Sequence, residues 1–506
     1  MFDFFYPLYI YITGANPPVI RAGLMGMILI ICILSRLKLP SLYVFSIVFI
    51  TYLIYSPHSL LHVGFQLSFI ITAALLLSLS LMKGVSSIWA LNIIVTTISS
   101  LASLFVLPLH FYTFSTIGWM ANLLFVPYFT LILLPLSFVL FILLFVQPTW
   151  FFYLDSITSF FLTVCENILG HLSSLPYSFL HIGKFNFMHW LLFSILTLLL
   201  FYFWQNKKKI TFLFICWLVF LTFNFYPLNG YVTMLDVGQG DAFVIREPFS
   251  LGATVIDTGG VLMFNEEEWK KKDSEYSTGY DILLPYLRGI GAQHIDQLVL
   301  THSDADHMQG ALKLIQFIKV KKIVIAYPSL EDELMQELLA EANLRGIPIH
   351  TVKQGDELLV SKRTKLKVLH PSDVMYQSSN NGSIVLYGKI GGLRWLFTGD
   401  IEEAAEKDLL VNYPYLETDV LKVSHHGSNT STKTTFLKQV SPKVAVISAG
   451  RNNRYGHPHK EVLHALASSR VRIYRTDLHG AVTYRYNFLE PGTFWTFYPY
   501  HETITE

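Results

Sequence analysis

Seven long, nearly uncharged stretches in the first 230 residues constrain this chain more than any other feature. Crossing a hydrocarbon core takes ~20 mostly apolar residues in helix. Candidate spans run over 19–35, 39–56, 60–82, 86–107, 117–147, 187–204 and 210–227, the fifth being long enough for two short helices. So many such runs in succession exclude a soluble helical core. Through Gly230 there are eight basic residues (Arg21, Arg36, Lys38, Lys83, Lys184, Lys207, Lys208, Lys209) and three acidic ones (Asp3, Asp155, Glu166). Charged residues make up only 14% of the whole chain, against roughly a quarter in soluble proteins, and nearly all of them lie beyond Gly230. The sequence is therefore written for two solvents, with residues 1–229 forming one domain and 230–506 another. Cys32, Cys165 and Cys216 all lie in apolar stretches, so none staples the polar half and no zinc-type Cys pair exists.

The segment 150–172 is ambiguous, because it is apolar yet carries Asp155, Glu166 and His171; it suits an interface or a cavity wall. Residues 1–13 are too short to span and lack the basic n-region and cleavage site of a signal peptide. Basic loop residues set orientation. Cytoplasmic placement of Arg36/Lys38, Lys83 and Lys207–Lys209 makes the last span exit and puts the polar domain on the extracellular side. Polar groups inside a membrane are costly and usually functional. Arg21, Gln66, Asn92 and Asn122 are such groups, with snorkelling or an interhelical hydrogen bond as the plain alternative. Pro127 and Pro135 predict kinked or broken helices, which are tolerated where they line a cavity. This pattern suggests a channel or transporter more than an anchor.

Beyond Gly230 the pattern changes to strands alternating with helices. YVTMLDVGQGDAFVI predicts a strand, a Gly-rich turn and a second strand, and ATVIDTGG another strand closing on a turn. Segments 321–326, 347–352 and 365–369 also predict strands, SIVLYGKIGGLRWLFTGD a hairpin, and 401–410 a helix. FNEEEWKKKDSEYS is a solvated charged insertion. Ligand-type residues recur where apolar strands end, which indicates an α/β layered fold with a site on one rim. His302, Asp304, Asp306 and His307 fall within six residues, and Asp400, His425 and His457 each follow an apolar strand. An Asp-rich turn alone can be capping, but repeated His and Asp at strand ends is the pattern of a hydrolytic divalent-metal site.

THSDADH, with LDVGQGDA before it and LFTGD and VSHHGS after it, resembles the motif set of the metallo-β-lactamase superfamily. PPVIRAGLM, GFQLSF and ANLLFVPYFTLILLP resemble a competence domain. Together the two halves resemble ComEC-type DNA-uptake proteins. The resemblance implies a polytopic α-helical membrane channel domain followed by an α/β domain of the αββα sandwich type. Because that family usually begins with a further soluble domain and more spans, it also implies a fragment or short form. His302 and Asp304 would hold a first metal, Asp306 and His307 a second, with Asp400 bridging and His425 completing the second site. The catalytic set is then His302, Asp306 and Asp400. Asp304 stands where the superfamily more often has His, and Asn380–Ser383 replaces its mid-domain His, so one or two divalent ions are expected, manganese or zinc, with the oxygen ligands suiting manganese better. Asp236 is expected to orient a ligand His or to cap the Gly238–Gly240 turn. Asn380, Ser383, His426, Ser428 and His457 are expected around the ligands or at the substrate.

A divalent metal activates water against carbonyl and phosphoryl groups alike. Residues 411–485 carry eleven basic residues against four acidic ones, a bias that beside a metal site favours a phosphate-bearing substrate, with a solvated face as the equal alternative when the bias is taken alone. The expected function is import of single-stranded DNA during transformation, with a nuclease meeting duplex DNA and degrading the non-entering strand. The expected partners are the lipid bilayer, a DNA receptor, a cytoplasmic ATPase and further copies of the chain. The rivals are a tethered hydrolase of a cell-wall or lipid phosphodiester, and a channel with an inert hydrolase-like domain.

Overall fold

The computed structural model describes residues 10–14, 16–175, 178–206, 208–223, 225–260, 276–326, 332–372, 378–488 and 492–500. Lys207 and most of the charged insertion fall outside them. The chain forms two compact units, Met1–Leu221 and Thr222–Glu506.

The first unit is an apolar helical region. Three of its helices are long and apolar enough to cross a bilayer, Pro17–Leu34, Gly118–Val146 and Phe187–Gln205, while Ser41–Tyr55, Val63–Leu77, Ile88–Ser103 and Thr211–Phe220 are apolar but shorter. The expected spans are thus helical, but several are trimmed. The stretch 60–82 is divided into a 3₁₀ turn at Pro57–Leu61 and helices Val63–Leu77 and Leu79–Met82. At ~1.5 Å per residue a fifteen-residue helix rises about 22 Å, short of a ~30 Å hydrocarbon core. The 117–147 stretch is one helical run rather than two helices. Pro127 lies inside it, and the π-helical turn Phe129–Leu133 that follows takes up the irregularity left by the missing N–H. The ambiguous 150–172 segment lies within a single helix, Pro148–Ser174. Large apolar side chains face outward, among them Tyr55 (87% exposed) and Phe145 (72%), an arrangement suited to lipid and unfavourable in water. Inside, Tyr52, Phe65 and Phe69 pack with Phe45 and Phe49, the Phe65–Phe69 ring centroids being 4.3 Å apart.

The second unit has four layers. In chain order its strands are β1 (Gly230–Met234), β2 (Phe243–Arg246), β3 (Gly252–Ile256), β4 (His294–Leu300), β5 (Ile323–Ala326) and β6 (Ile349–Val352) in one sheet. A second sheet holds β7 (Glu357–Leu359), β8 (Lys365–His370), β9 (Val385–Ile390), β10 (Leu393–Phe397), β11 (Val420–Lys422), β12 (Val444–Ile447) and β13 (Arg472–Arg475). The chain then returns to the first sheet with β14 (Val482–Tyr486) and β15 (Thr493–Thr496), giving the order β15-β14-β1-β2-β3-β4-β5-β6. The second sheet runs β13 to β7 in order. Each sheet is antiparallel at one end and parallel at the other, β3 to β6 and β10 to β13 being the parallel sets.

Strand periodicity sorts the side chains between layers. On β4, Leu298 and Leu300 join Met308, Leu314, Met335 and Leu338 of one helical layer, whereas Val299 joins Phe243, Trp395, Phe397 and Val446 between the sheets. On the other side Leu421 and Ala445 pack against Leu409, Phe436 and Leu466. Burial on both strand faces explains why these segments read as continuous apolar runs without alternation. The result is an αββα sandwich.

Candidate metal centre

The parallel strands of both sheets end on one rim, where the chain must leave each strand in a loop. β3 delivers Asp257, β4 delivers Thr301 to His307, β10 delivers Asp400, β11 delivers Lys422 to His426, and β12 delivers Ser448. The loop after β1 brings Asp241 against these. Gly240 permits that approach: its φ is +112°, and a Cβ there would lie 1.9 Å from the Asp306 carbonyl oxygen. His425 and His426 both have left-handed backbone (φ 48° and 54°), a strain that persists only where the surroundings fix it.

Three buried imidazoles share one arrangement. His307 Nδ1 is 2.9 Å from Asp257 Oδ2, an acceptor, so Nδ1 carries the proton. His426 Nδ1 is 3.0 Å from the Ser448 carbonyl oxygen and must likewise donate. Thr301 Oγ1 donates to Asp257 Oδ2 and lies 3.0 Å from His302 Nδ1, leaving that nitrogen to donate to the hydroxyl. Each neutral ring therefore presents an Nε2 lone pair. His307 Nε2 and His426 Nε2 face each other at 3.3 Å, and each lies 3.2 Å from Asp400 Oδ2. Asp306 Oδ2 is 3.5 Å from His426 Nε2. His302 Nε2 is buried with no hydrogen-bond partner. Ligand atoms of His302, His307 and Asp400, and likewise of Asp306, His307 and His426, lie within 4.8 Å of one another.

Lys422 meets Asp400 Oδ1 from one side, but the atoms converging on Asp400 Oδ2 are acceptors, and such a buried set is unfavourable unless a positive charge occupies it. The residues present therefore fit a divalent cation. Protonation equilibria carry the same demand. Burial alone would lower the His426 pKa, yet Asp400, Asp306 and Asp241 override it and hold it at about 9. His307 is pushed well above the ordinary histidine value, Asp400 and Asp257 outweighing its burial. Asp400 lies far below the usual carboxylate range, because His426, Lys422 and His307 overcome its desolvation.

Of the residues singled out from the sequence, the fold gathers His302, Asp306, His307, Asp400 and His426 at this centre. Asp304 stands at its edge, its side chain 40% exposed, 3.6 Å from His302 Nε2 and accepting from Ser379 Oγ. His425 lies outside the converging atoms. Its Nδ1 is 3.5 Å from Glu402 Oε1 and its ring packs on His457 at 5.7 Å. In the fold the position expected for His425 is filled by His426, because the paired left-handed residues turn the second imidazole inward. His457 lines the cleft above, with Nδ1 buried and without a partner, and burial followed by His426 and His425 pulls its pKa down to about 4. Asp236 Oδ1 accepts from the Gly238 peptide N–H at 3.3 Å, the turn-capping alternative. Ser383 Oγ accepts from the Asp400 peptide N–H and Asn380 Oδ1 is buried without a partner. Ser428 Oγ binds within its own turn, to Thr430.

Three residues of the centre escaped the sequence reading. Asp257 ends ATVID directly after an apolar strand, as Asp400 does after LFTG, so the same signal was available there; Asp241 lies at the far end of the loop between β1 and β2, where that signal is missing. Lys422 was counted among surface charges, but it is 1% exposed and paired with Asp241 and Asp400. Lys433, Lys443 and Arg475 are also committed to local carboxylates, so the basic count overstates the charge available to a polyanion. The cleft itself is lined by Asp304, Asp306 and Asp332 with His425, His426 and Tyr455.

In the first unit the polar groups are handled singly. Arg21 Nε donates to Ser68 Oγ at 2.6 Å, Gln66 Oε1 meets His110 Nε2 at 2.8 Å, and Asn92 Nδ2 donates to the Leu123 carbonyl at 3.1 Å. Asn122 is exposed on the Gly118–Tyr128 helix.

Sandwich and rim together define a metallo-β-lactamase superfamily domain, and residues 235–451 match that superfamily. Residues 3–207 match the Competence protein family, so a competence-type region with helices long and apolar enough to cross a bilayer precedes the hydrolase-type fold. The chain is 35% identical to ComE operon protein 3 of Bacillus subtilis over 510 residues, covering 99% of this chain and 65% of that protein. It is 30% identical over 254 residues to Competence protein ComA of Neisseria gonorrhoeae (50% of this chain, 32% of that one). It is 29% identical over 278 residues to Recombination protein 2 of Haemophilus influenzae (54% and 31%). The chain thus spans 65% of the first of these relatives and about a third of the other two.

Proposed function

We propose that this chain takes part in importing single-stranded DNA across the cell membrane during natural transformation. In this reading residues 1–229 form the multi-span channel, and residues 230–506 are a metal-dependent phosphodiesterase that degrades the strand left outside. The observation that carries the enzymatic half is the acceptor-only centre: three imidazole lone pairs and two carboxylates that favour a cation between them. Its mixed nitrogen and oxygen donors suit manganese or zinc. His307, His426, Asp306 and Asp400 would hold the ion, with His302 buried beside them and Asp304 at the exposed edge. When bound, a divalent ion supplies Lewis-acid polarisation of a phosphodiester and activation of water. Asp257 and Asp241 hold the rings and charges in place, as partners outside the ligand shell do in other metal sites. The acidic cleft lining gives a second reason for the ion, since carboxylates alone repel a phosphate backbone.

The likeness to competence proteins over both units supports DNA as the substrate. The bilayer, a DNA receptor, a cytoplasmic ATPase and further copies of the chain are the partners this reading proposes. The basic run that includes Lys208 and Lys209 supports a cytoplasmic loop there, and hence an extracellular hydrolase. Full-length protein in detergent should cleave end-labelled duplex DNA with Mn²⁺, and lose this with EDTA or Asp400→Ala. Metal-loaded protein that leaves duplex and single strands intact would overturn the nuclease reading. Cysteine at the exposed Lys362 position, in a chain without its native cysteines, should react with an impermeant thiol reagent on intact cells. Labelling only after lysis would place the domain inside.

A further inference from the structure

Lys422 places a fixed positive charge inside the centre, next to the carboxylates that would serve a metal. Its Nζ lies 2.5 Å from Asp241 Oδ2 and 3.0 Å from Asp400 Oδ1, and it donates to the Gly399 carbonyl at 2.6 Å. The side chain is 1% exposed, and an ammonium that deep is costly to bury unless opposing charges surround it. The two oxygens of Asp400 are therefore already divided: Oδ1 faces the Lys422 ammonium, and Oδ2 faces the Nε2 atoms of His307 and His426, where an ion would sit.

The two candidate metal positions are correspondingly unequal. One gathers His307, His426, Asp306 and Asp400. The other has His302 as its sole imidazole of its own and Asp304, which is half-exposed and tied to Ser379. In the segment that would have to complete it, Asn380 Oδ1 is a neutral oxygen without a partner, and the two residues Asn381 and Ser383 are committed elsewhere. Asn381 binds Glu402 through both its oxygen and its nitrogen, and Ser383 Oγ accepts from the Asp400 peptide.

We infer that Lys422 is a built-in second cation, its ammonium balancing Asp241 and Asp400 where a second metal ion would otherwise be needed, so that the centre takes one divalent ion per chain. This rests on the metal-centre reading above and narrows it. A fixed ammonium also spares the bridging carboxylate from depending on a second, exchangeable ion.

The test is metal stoichiometry, read apart from activity. Full-length protein in detergent is dialysed against Mn²⁺ and measured by elemental analysis and electron paramagnetic resonance. Wild type should hold one Mn²⁺ with the six-line signal of an isolated ion. Lys422→Ala opens a hole lined by oxygens of Asp241, Asp400 and Gly399, and should rise to two ions with a spin-coupled signal. Should that variant not fold, the double variant Lys422→Met/Asp241→Asn removes both charges together and should keep one ion. Two ions in wild type would overturn the role of Lys422 while leaving the metal centre standing. A folded Lys422→Ala protein that still binds one ion, or a double variant that binds two, would also overturn it. No bound ion in wild type would overturn both readings.

Discussion

The two units treat buried polar groups in opposite ways. In the first, the polar side chains between helices pair singly: Arg21 with Ser68, Gln66 with His110, Asn92 with the Leu123 carbonyl. In the second, His302, His307, His426, Asp306 and Asp400 are packed acceptor against acceptor. One-to-one satisfaction is what a low-dielectric interior requires for stability. A crowd of acceptors is tolerated only where something absent from the polypeptide completes it. The contrast separates polar residues that hold a fold together from polar residues held by a fold for another purpose.

Breaking the crowd should have the largest effect. Asp400→Ala or His426→Ala should remove most bound Mn²⁺, a loss of at least ~100-fold in affinity by competition with a fluorescent chelator. His425→Ala should retain wild-type metal content, because its ring stands outside the converging atoms. Equal losses at His425 and His426 would place the ligand boundary wrongly. Next in size is Asp257→Asn, which keeps the shape but removes the charge that fixes the His307 tautomer; about 10–100-fold weaker Mn²⁺ binding is expected.

The first unit should answer to a different assay. Arg21→Ala leaves Ser68 without its donor and should lower DNA entry several-fold in a transformation assay, with metal content of the full chain unchanged. Wild-type entry would return Arg21 to a packing role.

The smallest expected effect is a pH dependence away from the centre. Glu406 accepts from the Thr432 and Lys433 peptide N–H groups, yet burial raises its pKa from 4.5 to about 7. A carboxyl that holds its proton more tightly when folded costs stability as pH rises from about 4.5 to about 7, and the full cost remains above that. Glu406→Gln should remove this slope. Relative to wild type, the variant should gain on the order of 2–3 kcal/mol between pH 5 and pH 8. Thermal unfolding of residues 222–506 measures it, and that unit should fold alone because its three interlayer clusters begin at Val232 and draw on no residue before it. A flat difference across pH would mean Glu406 titrates normally.

Much of this was legible in the sequence, for physical reasons that also mark where legibility stopped. Hydropathy announced the helices of the first unit because lipid exposure acts on every side chain of a segment. It could not give their lengths, since Pro40, Pro57 and the π-turn after Pro127 act through the backbone. Doubly buried strands announced the sandwich, and His and Asp after those strands announced the rim. The choice between His425 and His426 was not legible, because it depends on two left-handed residues in succession. Nor was the burial of Lys422, which a tally of basic residues places on the surface and tertiary pairing places inside. Asp257 was within reach, being a carboxylate directly after a strand, whereas Asp241 sits in the loop just before β2 and carries no such mark.

The central claim is that the acceptor crowd is a cation site. Anomalous scattering at the manganese edge, from crystals of the protein grown with Mn²⁺, tests it most directly. The account predicts a peak bounded by His307 Nε2, His426 Nε2, Asp306 and Asp400 Oδ2. Crystals with millimolar Mn²⁺ and no peak there, the two Nε2 atoms instead sharing a proton or a water, would contradict it.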